Sequence, residues 1–106
     1  MKKDLRISEL CDVYGELLTT RQKDIINSYY DYDLSLAEIS ENYGITRQAV
    51  RDAIVKASEQ LENYENVVGA LSYKEKVKND LQELVALLDG DKVEEAKEIL
   101  LRLYKI

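Results

Sequence analysis

No proline interrupts this sequence anywhere, and glycine occurs only four times in 106 residues. Proline removes a backbone donor and clashes with the preceding turn, while glycine costs a helix interior about 1 kcal/mol, so a chain nearly free of both can run helical for most of its length. Leu, Glu, Lys, Ala and Ile are abundant, and all suit helices. The expected class is all-α. At 45% apolar, the chain can bury one modest core, as one domain or a small domain with an appendage, and two large independent domains are excluded.

Apolar spacing divides the sequence into helices. Ile7, Leu10, Cys11, Tyr14, Leu17 and Leu18 fall on one helical face and predict a first amphipathic helix over Leu5 to Leu18. Thr19 with Gln22 three residues on forms a capping-box pattern, predicting a second helix with Ile25, Ile26 and Tyr29 inward and Tyr30 near its end. Ser35 and Glu38 repeat the pattern and open a short third helix to about Asn42, with Leu36, Ile39 and Tyr43 inward. Gly44 stands where a helix reverses through a left-handed backbone, and Thr46 is an N-cap for a fourth helix to about Tyr64. Between Asn66 and Ser72 the only breaker is Gly69, so that helix either continues or bends there. From about Tyr73, the stripe Val77, Leu81, Leu84, Val85 and Leu88, the turn Asp89-Gly90-Asp91 and the stripe Val93, Ala96, Ile99, Leu100 and Leu103 predict an antiparallel helical hairpin.

The stretch from Leu36 to Ile54 reads as a helix-turn-helix. Two helices crossing steeply need a small residue at closest approach, a glycine in the turn and apolar residues that lock the second helix onto the first. Ser40, Gly44 and the set Ile39, Ile45, Val50 and Ile54 supply these. The other face of the fourth helix then presents Thr46, Arg47, Gln48 and Arg51, with Lys56 about a turn beyond. Arg reads guanine edges, Gln reads adenine, and Thr or a helix N-terminus holds a phosphate. These five residues are the candidate nucleic-acid contacts. The alternative is that they form only the solvated side of an amphipathic helix, with the helix-turn-helix kept as a scaffold.

Charge bounds this reading. The chain carries a net −6, which argues against broad, sequence-independent adhesion to nucleic acid. Residues 46–56 set Arg47, Arg51 and Lys56 against Asp52, a local +2, which leaves −8 for the rest. Nucleic-acid contact must therefore be local. No apolar run approaches the ~20 residues of a membrane span, and the opening from Met1 to Ile7 lacks the apolar stretch of a signal peptide, so a cytoplasmic protein with no membrane insertion is expected.

Leu18 to Gln22, Leu34 to Ile39 and Gly44 to Val50 resemble region 4 of sigma-70-type factors, which reads the promoter −35 element. The chain is also similar to the YlxM family of small bacterial proteins at Tyr29-Tyr30, Asp33 to Leu36, Glu38-Ile39, Arg47 to Val50, Asp52 and Leu61 to Glu65, and in its length and added helical C-terminus. An aromatic often follows the Arg-Gln-Ala-Val run in that family, whereas this chain carries Arg51, an added cation. That family is usually encoded beside the signal recognition particle GTPase Ffh and its receptor. The resemblance implies an accessory or regulatory role in co-translational targeting.

Other residues support blander readings. Cys11 is the only cysteine and there is no histidine, so core packing is expected rather than a disulfide or zinc site. Asp31, Asp33, Glu38 and Glu41 sit where helix N-termini favour acids. Tyr29, Tyr30, Tyr32 and Tyr43 could form a stacking platform for single-stranded RNA, though core and rim packing is preferred. Neither a nucleophile–base pair nor a phosphate loop is visible, so no enzyme and no cofactor is expected. Leu100, Leu101, Leu103, Tyr104 and Ile106 make the C-terminus more apolar than an exposed hairpin should be; it either folds onto the first helix or makes a homodimer.

The sequence thus predicts a helix-turn-helix domain with an N-terminal helix over residues 1–65 and a C-terminal hairpin over 66–106. The expected function is non-enzymatic: an accessory or regulatory protein that contacts DNA or RNA, and Ffh, as a homodimer. The alternatives are a sequence-specific DNA-binding transcription regulator and a pure protein-interaction module.

Overall fold

The computed structural model describes residues 3–105, so the expectation for Ile106 lies outside the described residues. Among them there are six α-helices and no strand: α1 (Leu5–Tyr14), α2 (Thr20–Tyr30), α3 (Leu36–Tyr43), α4 (Arg47–Val68), α5 (Ala70–Asp89) and α6 (Val93–Tyr104). The described residues divide into two compact units between Leu71 and Ser72.

Local chemistry sets most helix starts in the first unit. The Asp4 side chain accepts from the Arg6 amide at 2.9 Å and caps α1. Both capping boxes form: Thr19 and Gln22 exchange bonds of 3.1 Å at α2, and Ser35 and Glu38 do so at 3.1 and 3.2 Å at α3.

The first unit closes around α4, which packs against α1, α2 and α3. Val50, Ile54, Ala57 and Leu61 recur at steps of four, three and four, which keeps one face of α4 toward the core. They meet Leu10 of α1, Ile25 and Ile26 of α2 and Ile39 of α3 in one cluster. Burying each large aliphatic side chain here is worth about 1.5–3 kcal/mol.

Two expected boundaries move. The first helix ends at Tyr14, not Leu18, because the chain tightens into a 3-10 turn over Gly15–Leu17. Leu18 is still buried, but Leu17 is exposed rather than on the inner face. The fourth helix runs past Tyr64 to Val68 and ends at Gly69, whose φ of +69° lets the chain leave the helix and start α5 at Ala70.

In the second unit, α5 and α6 join through a turn in which the Lys92 amide donates to Leu87 O and the Asp91 amide to Leu88 O. Of this unit's described residues, only Leu84, Ala96 and Ile99 are buried, with Leu87 and Leu103 packed against them. The predicted stripes split as a result. Leu81, Val85 and Leu88 of α5, and Val93 and Leu100 of α6, are exposed rather than inside the seam. Arg102 donates to Asp80 Oδ1 at 3.3 Å, while Asp80 Oδ2 is buried without a hydrogen-bond partner.

Candidate nucleic-acid interface

The turn between α3 and α4 is built from backbone groups that a helix end leaves unsatisfied. Gly44 adopts φ +64°, its amide donates to Glu41 O at 3.4 Å, and the Ile45 amide donates to Ser40 O at 3.1 Å. That pair of bonds is the Schellman arrangement, and it needs a residue tolerant of the left-handed region. Ser40 is buried at the crossing and turns its hydroxyl back to Ala37 O at 2.7 Å, which removes the cost of burying it. Thr46 then caps α4 by accepting from the Ala49 amide at 3.0 Å.

This geometry presents the N-terminal turns of α4. Val50 and Ile54 are buried, and Thr46, Arg47, Gln48, Arg51 and Lys56 are all exposed. At about 100° per residue, Arg47, Gln48 and Arg51 share one side of the helix, whereas Lys56 lies about 140° around from Arg51. Three of the candidate side chains therefore form one patch, and Lys56 stands apart. Gln48 Nε2 donates to Asp52 Oδ1 at 2.9 Å, which orients its amide one turn along the helix.

The cationic patch is short. Further along α4, an open groove of ≈ 410 Å³ is lined by Ile7, Tyr30, Ile54 and Val55 together with Asp4 and Glu59. Glu62 borders the same groove and takes Arg6 in a two-pronged contact at 2.8 and 3.2 Å. Phosphate would be repelled from this acidic stretch.

Two features escape sequence reasoning. The guanidinium of Arg21, in the first turn of α2, lies 5.3 Å from the centre of the Tyr43 ring, a cation–π contact that places a further cation beside the end of α3. At the far end of α4, Glu65 is buried and accepts from the Tyr14 hydroxyl at 2.6 Å and from the Leu71 amide at 3.1 Å. The Tyr14 oxygen in turn accepts from the Ala70 amide at 3.0 Å. The first amides of α5 thus find side-chain acceptors from α1 and α4. Burial, helped by the bond to Glu65, holds the Tyr14 phenol above its usual range. Neither feature could be read from spacing, because the partners lie 22, 51 and 56 residues apart.

The remaining candidates fall into structural roles. Cys11 is buried and its thiol is pushed up by desolvation, which disfavours a reactive thiolate. Tyr29 is buried and meets Tyr30 edge-on at 5.1 Å; Tyr43 is half-buried, and only Tyr32 is widely exposed, so the four do not make a stacking platform. Asp31 accepts from the Ser8 hydroxyl at 2.9 Å, Asp33 pairs with Lys3, and Glu38 completes its capping box. No helix among the described residues is long and apolar enough to cross a membrane.

Comparison with known proteins adds a consistent likeness over nearly the whole chain. Residues 1–101 match the sequence model of the family described as "Putative helix-turn-helix protein, YlxM / p13 like". A UPF0122 protein of Desulforamulus reducens is 46% identical over 98 residues, covering 92% of this chain and 84% of that protein. A UPF0122 protein of Symbiobacterium thermophilum is 39% identical over 100 residues and 94% of each chain. The UPF0122 protein YlxM of Bacillus subtilis is 39% identical over 95 residues, covering 90% of this chain and 86% of that protein.

Proposed function

From the premise that this chain belongs to the YlxM/p13-like family of helix-turn-helix proteins, we propose that it is a cytoplasmic accessory or regulatory protein of the signal recognition particle pathway that binds nucleic acid without turning over a substrate. The observation that carries the reading is the patch of Arg47, Gln48 and Arg51, exposed together at the N-terminus of α4 while Val50 and Ile54 lock that helix into the core. Arg47 and Arg51 supply charge and guanine-type contacts, Gln48 an amide for a base edge, and the capped N-terminus near Thr46 a phosphate site. Lys56 serves as a separate phosphate contact on another side of the helix.

Ffh is the proposed protein partner, and the chain acts as a homodimer through the hairpin of residues 66–106, with residues 1–65 as the nucleic-acid domain. Pairing two small patches would raise affinity through effective concentration. A sequence-specific transcription regulator resembling sigma region 4 is the second reading, favoured by the same patch.

One comparison separates them: binding of the purified chain to Ffh, to the particle's RNA and to a pool of randomised duplex DNA at near-physiological salt, with an Arg47→Ala/Arg51→Ala control. Binding to Ffh or its RNA without selection of a DNA motif supports the targeting reading. Enrichment of a DNA motif that the double variant loses makes the chain a transcription regulator. Nucleic-acid binding insensitive to the double variant and to salt would contradict the assignment of the patch.

A further inference from the structure

The hairpin of the second unit leaves apolar surface outside its own seam, and most of it lies on one side, with the exposed Leu101 falling off that side. Along α5 the seam residues are Asp80, Leu84 and Leu87, and the exposed Leu81, Val85 and Leu88 each follow one of them by one position. Along α6 the seam residues are Ile99 and Leu103, and the exposed Leu100 and Tyr104 again follow by one position. One position is about 100° of rotation in the same sense on both helices. The helices run antiparallel, so equal rotation from a shared seam carries both stripes to the same side of the hairpin. Leu81, Val85, Leu88 and Leu100 are each 46–57% exposed and Tyr104 is 86% exposed, which leaves ~600 Å² of side-chain surface on this face, against the ~800 Å² per partner of a standard interface.

Charge identifies the occupant. At the open end of the hairpin, Lys74, Lys76, Lys78, Arg102 and Lys105 outnumber Glu75 and Asp80; at the turn end, Asp89, Asp91, Glu94 and Glu95 outnumber Lys92. The hairpin is therefore positive at one end and negative at the other. A copy of itself, turned end for end, matches both the apolar face and this polarity.

We propose that the face formed by Leu81, Val85, Leu88, Leu100 and Tyr104 binds the same face of a second copy of this chain, antiparallel, as an isologous four-helix contact. This deepens the reading of residues 66–106 as the dimerising segment and rests on it. A two-fold axis perpendicular to the helices sets Lys78 of one copy near Asp89 of the other, and Glu94 near the other copy's Lys105. With the axis along the helices instead, positive ends would meet positive ends.

The test is sedimentation equilibrium of the full chain without nucleic acid, with far-UV circular dichroism to confirm helix content. The wild type is expected to be mainly dimeric at ~50 µM, as an interface near the standard size allows. Val85→Glu/Leu100→Glu is expected to be monomeric with unchanged helicity. Lys78→Glu and Asp89→Lys should each weaken the dimer by about tenfold through like-charge contact, and Lys78→Glu/Asp89→Lys should restore it. A monomeric wild type would sink both the dimer and this face, leaving the surface to a different protein. A dimer that survives Val85→Glu/Leu100→Glu would overturn the face alone, and failure of the charge swap to restore association would overturn the antiparallel arrangement.

Discussion

The two units of this chain solve the same problem, burying one face of a helix, with very different success. In the first, three helices converge on α4, and Leu10, Ile39, Val50 and Leu61 are wholly shut away from water. In the second, two helices share a seam with three buried residues, one of them an alanine. The contrast extends to buried carboxylates: Glu65 holds Tyr14 and the Leu71 amide, while Asp80 keeps one oxygen buried with no partner. A helix pair of this size cannot supply a sufficient core of its own. The first unit can expose a small polar patch because its stability lies elsewhere, whereas the second exposes leucines because its packing is incomplete.

Core truncation should have the largest effect. Leu61→Ala removes a side chain at the centre of the first unit and is expected to cost about 4 kcal/mol in chemical denaturation, against about 2 kcal/mol for Leu84→Ala in the thinner seam. Equal losses would mean the two cores are alike. Next come the carboxylates. Glu65→Ala strands the Leu71 amide and the Tyr14 hydroxyl and should cost about 2–3 kcal/mol, while Asp80→Asn should stay within about 0.5 kcal/mol, since the seam already carries an unsatisfied oxygen there.

Smaller effects are expected at the turn between α3 and α4. At Gly44 a methyl group would meet nothing within 4 Å, so Gly44→Ala should cost only the left-handed backbone penalty, about 1–2 kcal/mol. The alkaline limb of stability is the subtlest. Because the folded state holds the Tyr14 phenol above its usual value near 10, its contribution is complete below that pH and fades as pH rises through the raised folded value. Tyr14→Phe should flatten that part of the pH profile in thermal melts.

What the sequence reveals and what it hides follows from the range of the interactions. Capping boxes at Thr19 and Ser35, the reversal at Gly44 and the cap at Thr46 act within three to five residues, so their spacing alone locates the helix-turn-helix and its exposed cations. The end of α1 at Tyr14 depends on a tight turn rather than on periodicity, and Leu17 fits the helical stripe yet faces solvent. Arg21 against Tyr43 and Glu65 against Tyr14 are contacts across the fold with no local signature. In the hairpin, periodicity finds apolar stripes wider than the seam: Leu81, Val85, Leu88 and Leu100 fit the period yet are exposed, because two helices alone offer only one contact line to bury.

Hydrogen exchange of the full chain at low and high protein concentration tests this division most directly. Protection of α5 and α6 beyond Ser72 is expected to rise with concentration while protection of α1 to α4 stays constant. Concentration-independent protection throughout would contradict it, showing that the hairpin is stable without a second copy.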